Sequence, residues 1–305
     1  MNFPELNRDF RLDRLKPPQG KIKMVLDTDT YNEIDDQFAV TYALRSSEQL
    51  DVKALYAAPF QNQRSADPGE GMEKSYEEIL KLLKRLDRDS HNFVYRGSGS
   101  YLADQEDPPK SPAAEDLIER ALEGEEDPLY VVAIGAMTNV ASAILAEPEI
   151  IGKIVVVWLG GQPFHWKDTQ EFNLGQDVQA SRLIFDCGVP LVHIPCYGVA
   201  SHLLTTLPEV KELTEEAGSI GKYLRKIFQD YREDHRAYAK EIWDISTIGY
   251  LLNPEWVPTD LVHSPILTDQ VTWSFDNSRH FIRNATFVHR NPIFGDLAEK
   301  LKEEG

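Results

Sequence analysis

The residues best suited to chemistry come early. From Asp27 to Asp36 the chain reads DTDTYNEIDD, four aspartates and one glutamate in ten residues, directly after the apolar run IKMVL. Carboxylates this close repel one another unless a cation or a proton sits between them. Hard divalent cations take oxygen ligands, and Ca²⁺ accepts roughly six to eight of them. The sequence offers no HxxH or cysteine cluster for zinc. The pattern therefore points to a divalent cation held by oxygen, placed to orient and activate a water. A plainer reading needs no metal: Asp35 and Asp36 at a helix start would favour its dipole and cap it. That reading leaves Asp27 and Asp29, on the strand side, without a role.

These carboxylates need a strand that ends where a helix begins. IKMVLDT (Ile22 to Thr28) leads into DDQFAVTYALRS. DVKALYAAPF precedes a polar loop and SYEEILKLLKRLD; NFVYRGS precedes an acidic, proline-rich loop and SPAAEDLIERALE. LYVVAIGAMTN leads into VASAILAEP, and KIVVVWLGG into a loop and then DVQASRLIFDCG, with PLVHIPC as another strand. Such β-then-α alternation predicts an α/β protein, a Rossmann-like three-layer fold with a mostly parallel central sheet and helices on both faces. In open parallel sheets sites form beyond the carboxyl ends of the strands, where Asp27, Asp29, Asp35 and Asp36 fall. From about Pro208 to Tyr250 the pattern is helical, and the runs DQVTWSF and RHFIRNATFVH read as shorter strands. No repeat or linker forces a cut. A single domain over 1–305 is the simplest reading, with 1–20 as an N-terminal extension packing Phe3, Leu6 and Phe10 on the body.

Composition excludes several classes. At 42% hydrophobic and 27% charged, the bulk of a 305-residue chain is not disordered. A net charge of −18 argues against nucleic-acid binding and against an anionic membrane surface. Two cysteines, Cys187 and Cys196, without CxxC spacing, read as buried thiols in a reducing compartment. The first 20 residues lack a signal-peptide core. No run approaches the roughly 18 apolar residues of a membrane span. A cytoplasmic protein is expected, in which the sequon at Asn284 is chance.

Two known families share the opening motif. LDTDT resembles the nucleophile motif of haloacid-dehalogenase-type phosphatases, but those need a later Ser/Thr, a lysine and a distant acidic pair. GDLAEK is a poor acidic motif and comes too late, and the second acidic pair here follows immediately. Far more of the chain resembles the nucleoside hydrolase family of the inosine–uridine-preferring type. That family opens with a strand and a DTDPGxDD-like motif; here two more residues separate the acidic pairs. A G-x-x-T-N turn follows as Gly135 to Asn139. A strand ending in Gly160-Gly161 precedes Glu171-Phe172-Asn173 and Asp177, and a late aspartate follows as Trp243-Asp244. The landmarks come in family order.

The resemblance implies Ca²⁺-dependent hydrolysis of the N-glycosidic bond of ribonucleosides to ribose and free base. It implies a Ca²⁺ bound by Asp29, Asp36, the main-chain oxygen of Thr138 and Asp244, completed by the ribose 2′- and 3′-hydroxyls. Asp29 matches the general base and Asp27 a residue behind the ligands. Asp35, Glu171 and Asn173 match ribose contacts. The partner is a small-molecule ribonucleoside, and the assembly a homodimer or homotetramer. The cis-diol requirement favours ribo- over 2′-deoxyribonucleosides. The chain also departs from the pattern. Trp243 stands where many members have the histidine that protonates a purine, and indole is no acid. His165 and Trp166 occupy the loop where a ribose-contacting asparagine is common, so His165 is a candidate proton donor or sugar contact. Asn62 or Gln61 stands in for a Gly-Asn pair after the second strand.

Each landmark alone has a plainer reading. Thr138-Asn139 and Asp244 could each cap a helix, and Glu171 and Asn173 could be surface loop residues. Trp243 instead of histidine also suits a member that binds a ribosyl ligand without turnover. His193, on an apolar strand, reads as a hydrogen-bonded core residue, while His202 is ambiguous. DYREDHRAYAK reads as a solvated helix face or lid, and GEGMEKSYEEI as a gate.

Overall fold

Strand β1 (Ile22–Thr28) explains the architecture in miniature. It is buried except at Lys23. Met24 and Leu26 belong to one apolar cluster and Val25 to the other. A strand whose alternate side chains are both apolar must be covered on both faces, and this period of two requires helices above and below. The structure is a computed structural model and describes residues 3–102, 107–123 and 127–302.

Around β1 the chain runs through α1 (Arg8–Arg14), α2 (Asp36–Arg45), β2 (Leu50–Ala57), α3 (Pro68–Arg85), β3 (Val94–Arg96) and α4 (Pro112–Glu123). It continues through β4 (Leu129–Ala133), α5 (Thr138–Ala146), β5 (Ile154–Leu159), α6 (Phe172–Gln176), α7 (Val178–Asp186) and β6 (Leu191–Ile194). Then come β7 (Leu204–Thr205), α8 (Leu207–Leu213), α9 (Gly218–Asp230), β8 (Lys240–Glu241) and α10 (Ile245–Leu252). The chain closes with β9 (Thr259–His263), β10 (Ile266–Leu267), β11 (Trp273–Ser274), β12 (Phe281–Ala285) and α11 (Arg290–Leu301).

Eight strands form the central sheet in the order β3-β2-β1-β4-β5-β6-β12-β9. All neighbours are parallel except β12 and β9. One face packs against α2, α3, α9, α10 and α11 through residues such as Phe38, Ile79, Leu224, Ile248 and Leu297. The other packs against α4, α5 and α7 through Leu117, Val140, Ile144, Ile184 and Phe185. This is the expected α/β fold. No helix among the described residues is long and apolar enough to cross a membrane.

Several local expectations are corrected. DQVTWSF contributes only β11, which pairs with β10 outside the central sheet. The helical stretch breaks after Asp230, and residues 231–239 form turns rather than a helix face. GEGMEKSYEEI is the packed start of α3, with Gly71, Met72, Ser75, Glu78 and Ile79 buried, and not a gate. In the extension, Phe3 and Leu6 pack on the core, but Phe10 is exposed beneath the Arg14 guanidinium. His193 is a core residue as expected, held between Asn284 Oδ1 at 2.8 Å and Gly160 O at 2.6 Å. Burial pushes its pKa down to about 4. His202 packs against Phe287.

One residue gathers the sheet's carboxyl edge. Asn139, in the first turn of α5, donates to Asp27 Oδ1 at 2.7 Å and Ala57 O at 3.3 Å and accepts from Ser98 N at 2.7 Å. It thereby ties the ends of β1 and β2 to the segment after β3. Gly97 lies against it, and a Cβ there would run into Ala57 O and the Asn139 amide. Gly97→Ala is therefore expected to destabilise the protein by about 2 kcal/mol or more, since overpacked sites relax poorly. Urea unfolding followed by circular dichroism measures it.

Candidate active site

The acidic motif folds as a tight turn between β1 and α2. Asn32 N donates to Asp29 O at 2.7 Å, and Gln37 Nε2 to Thr30 O at 2.7 Å. Thr28 Oγ1 donates to Asp36 Oδ1 at 2.5 Å, fixing that carboxylate from the strand side. Asp35 and Asp244 are the N-cap residues of α2 and α10, yet neither side chain makes a capping hydrogen bond. The same holds at α5, whose N-cap is Met137. No side-chain capping bond is therefore made at any of the three helix starts.

The carboxylates instead face one another. One oxygen from each of Asp35, Asp36 and Asp244 lies within 4.8 Å of the other two, a group able to hold a metal ion. Both Asp29 carboxylate oxygens are buried and have no hydrogen-bond partner among the described residues. Asp29 is pressed on Gly135, where a Cβ would stand 3.1 Å from its carboxyl carbon. An all-carboxylate donor set suits a hard cation.

Burial, with the charges of its neighbours, holds Asp29, Asp36 and Asp244 well above the usual carboxylate range. Burial pushes Asp35 up to about 6 against the pull of the Lys240 ammonium. It pushes Asp27 up to about 7, opposed by the Asn139 hydrogen bond. Lys240 is itself buried, with Nζ 2.6 Å from Glu33 Oε2.

These groups line a cavity of about 180 Å³. Its far wall comes from β5, α6 and the segment after β6. Glu171 is the N-cap of α6, accepting from Asn173 N at 3.0 Å, Leu174 N at 3.0 Å and Gly161 N at 2.8 Å. Burial raises its pKa against those three donors. Asn173 Nδ2 donates to Leu159 O at 3.0 Å and Ile134 O at 3.2 Å. Phe172, Cys196, Tyr197 and Trp243 complete the wall. The Tyr197 and Trp243 rings meet edge-on, with centroids 5.2 Å apart. A larger groove of about 1080 Å³ near α1 lacks such a cluster, and its Arg11 and Arg279 are committed to Gly188 O and Asp186.

Seven anticipated residues share this cavity: Asp29, Asp35, Asp36, Glu171, Asn173, Trp243 and Asp244. Asp27 stands behind it on Asn139. Three others fall elsewhere. Thr138 lies in α5, with Oγ1 donating to Asp177 Oδ2 at 2.8 Å, and is not part of the wall; Ile134 is. Asn62 braces the turn from outside, its Nδ2 donating to Asn32 Oδ1 at 2.7 Å. His165 is exposed on its loop, away from the wall. Asn32, Glu33, Cys196 and Tyr197 line the cavity unanticipated. Asn32 and Glu33 are within the lengthened acidic motif, and Cys196-Tyr197 follow the carboxyl end of β6, so the strand-end rule already pointed to both.

The sequence profile of the inosine–uridine preferring nucleoside hydrolase family matches residues 24–291. A pyrimidine-specific ribonucleoside hydrolase, RihA, of Klebsiella pneumoniae is 27% identical over 261 residues, covering 77% of this chain and 80% of that protein. Its counterpart from Escherichia coli O1:K1 / APEC is 27% identical over 258 residues, covering 74% and 78%. Among solved structures, a plant nucleoside hydrolase, PpNRh1, superposes with a TM-score of 0.73 at 21% identity, over 92% of this chain and 99% of that one. A purine-preferring ribonucleoside hydrolase from Gardnerella vaginalis does so with 0.73 at 20%, over 92% and 98%.

The raised carboxyl groups fix the sign of a pH effect. Each binds its proton more tightly folded than unfolded, so its contribution to stability is complete at acid pH. That contribution is lost as pH rises through the folded pKa, about 6 for Asp35 and about 7 for Asp27. Chelator-treated protein should therefore resist urea better at about pH 5 than at about pH 8. A divalent cation relieves the repulsion that appears on ionisation. Added Ca²⁺ should accordingly raise the Tm more at about pH 8 than at about pH 5, as read by calorimetry.

Proposed function

The chain belongs to the inosine–uridine preferring nucleoside hydrolase family, and we propose that it hydrolyses ribonucleosides to ribose and free base with the help of a Ca²⁺ ion. Hydrolysis of N-glycosyl compounds is the family's chemistry. The observation that carries the finer reading is the buried group Asp29, Asp35, Asp36 and Asp244, which has no other evident use in the fold. A phosphatase of the DxDxT kind would need a lysine and a serine or threonine in the site, and none of these lines this cavity among the described residues.

Asp29, Asp36 and Asp244 would hold the ion. We assign the main-chain ligand to Ile134 rather than Thr138, because Ile134 is in the wall. Bound there, the ion would fix the ribose cis-diol and lower the pKa of water. The protein's own groups do the rest. Asp35 accepts from a ribose hydroxyl, while Glu171 and Asn173 meet the sugar's 3′ and 5′ sides. Asp29 takes the proton of the attacking water as its oxygen bonds to C1′. The C1′–N pair departs with the base. Positive charge spreads over the sugar in the transition state, and the carboxylates around it stabilise that charge. Asp27 acts through Asn139, holding the strand end that carries Asp29.

Names of similar proteins divide over the base, pyrimidine for one and purine for another. Family resemblance completes the proposal with a cytoplasmic homodimer or homotetramer.

Asp29→Asn is expected to lower kcat on uridine and p-nitrophenyl riboside on the order of 10³-fold with the fold intact, measured as reducing sugar. Full loss on chelation and recovery with Ca²⁺ should accompany it. His165→Ala should change rates on inosine, uridine and p-nitrophenyl riboside by less than about twofold. Slowing confined to the natural bases would return the leaving-group role to His165. Thermal stabilisation by ribosides without product would instead mark a binding protein.

A further inference from the structure

We propose that the preferred substrates are ribonucleosides whose base carries a fixed positive charge, of the pyridinium or N7-alkylated purine type. This rests on the hydrolase reading and names its substrate class.

The first observation is that no basic side chain stands ready to carry a proton to the base. No histidine, lysine or arginine lines the cavity among the described residues. Glu33, a carboxyl group of the same cavity, is paired with Lys240 Nζ at 2.6 Å. A neutral base leaves as an anion unless it is protonated as the bond breaks. A cationic base needs no donor. The C1′–N bonding pair returns to the positive nitrogen and the base departs neutral. The water oxygen bonds to C1′, and its proton passes to Asp29 and then to solvent. Riboside cation and water thus give ribose, neutral base and one proton.

The second observation is charge. Six carboxyl groups line the cavity: Asp29, Glu33, Asp35, Asp36, Glu171 and Asp244. No basic side chain lines the cavity among the described residues to offset them, and a cleft lined by carboxyl groups favours cations. Glu33 owes its place to the lengthened acidic motif. That turn is rigid: Arg64 Nη1 donates to Tyr31 O at 3.2 Å and Glu33 O at 3.1 Å.

The third observation is the aromatic wall. Trp243 and Tyr197 meet at 73°, and Trp166 stacks behind Tyr197 with centroids 6.2 Å apart and planes 19° apart. Tyr197 is 50% and Trp166 41% exposed. Indole and phenol faces bind cations.

The test compares KM values, because the better leaving group of a cation acts on kcat. The substrates are inosine, N7-methylinosine, which adds one methyl and, at a pH acid enough to keep N1 protonated, one positive charge, nicotinamide riboside as the pyridinium, and p-nitrophenyl riboside as a control of competence. KM for N7-methylinosine should fall below that for inosine by about tenfold at low salt, and the gap should narrow at about 0.5 M NaCl. Glu33→Gln and Trp243→Leu should each raise KM for the cations about tenfold more than for inosine. Glu33 is partly exposed, so its variant keeps the test decisive should Trp243→Leu misfold. A preference for one cation over the other supports the proposal and sets the ring size. Cleavage of p-nitrophenyl riboside with equal KM for inosine and its methylated cation overturns it and leaves the hydrolase reading standing. Cleavage of no riboside overturns both.

Discussion

Repulsion among buried carboxylates is the constraint on which the rest of this structure depends. Two unit charges about 4 Å apart repel by about 4 kcal/mol at an effective dielectric of roughly 20. Asp35, Asp36 and Asp244 form three such pairs, with Asp29 adding more. Fully ionised, the cluster would cost about as much as the net stability of a whole domain. It persists because protons, Lys240 and a cation can share the charge. The fold helps, since α2 and α10 both begin at the cluster and turn the positive ends of their dipoles toward it.

The surrounding packing holds these charges where they would otherwise spread apart. Asn139 binds the ends of two strands, and Asp177, N-cap of α7, accepts from Ala180 N at 3.1 Å, Thr138 Oγ1 at 2.8 Å and Leu102 N at 2.6 Å. These side chains sit at the starts of helices that pack on the sheet through largely apolar faces. The site inherits its rigidity from the core, as a site that must resist its own electrostatics requires.

Much of this was legible in the sequence, for physical reasons that differ by element. Continuous apolar runs announced β1, β4, β5 and β6, because strands buried on both faces tolerate little else. Strand β9 was missed: its TDLVH residues are partly exposed on the sheet edge, so no apolar run marks it. The clustered aspartates were legible because carboxylates at that density repel one another unless a cation or proton sits between them. A G-x-x-T-N turn does not reveal which carbonyl faces outward, so the resemblance pointed to Thr138 where Ile134 lines the cavity. His165 lies exposed outside the cavity lining, because a loop's direction is set by contacts distant in sequence. The Glu33–Lys240 pair joins residues far apart in the chain and becomes visible only once β8 pairs with β7 beside the acidic turn.

The most direct measurement is a calorimetric titration of chelator-stripped protein with Ca²⁺, followed by titration of the loaded and stripped forms with ribose. The account predicts a single ion per chain and ribose binding that depends on it. Absence of ion binding, or ribose binding equally well to both forms, would contradict it.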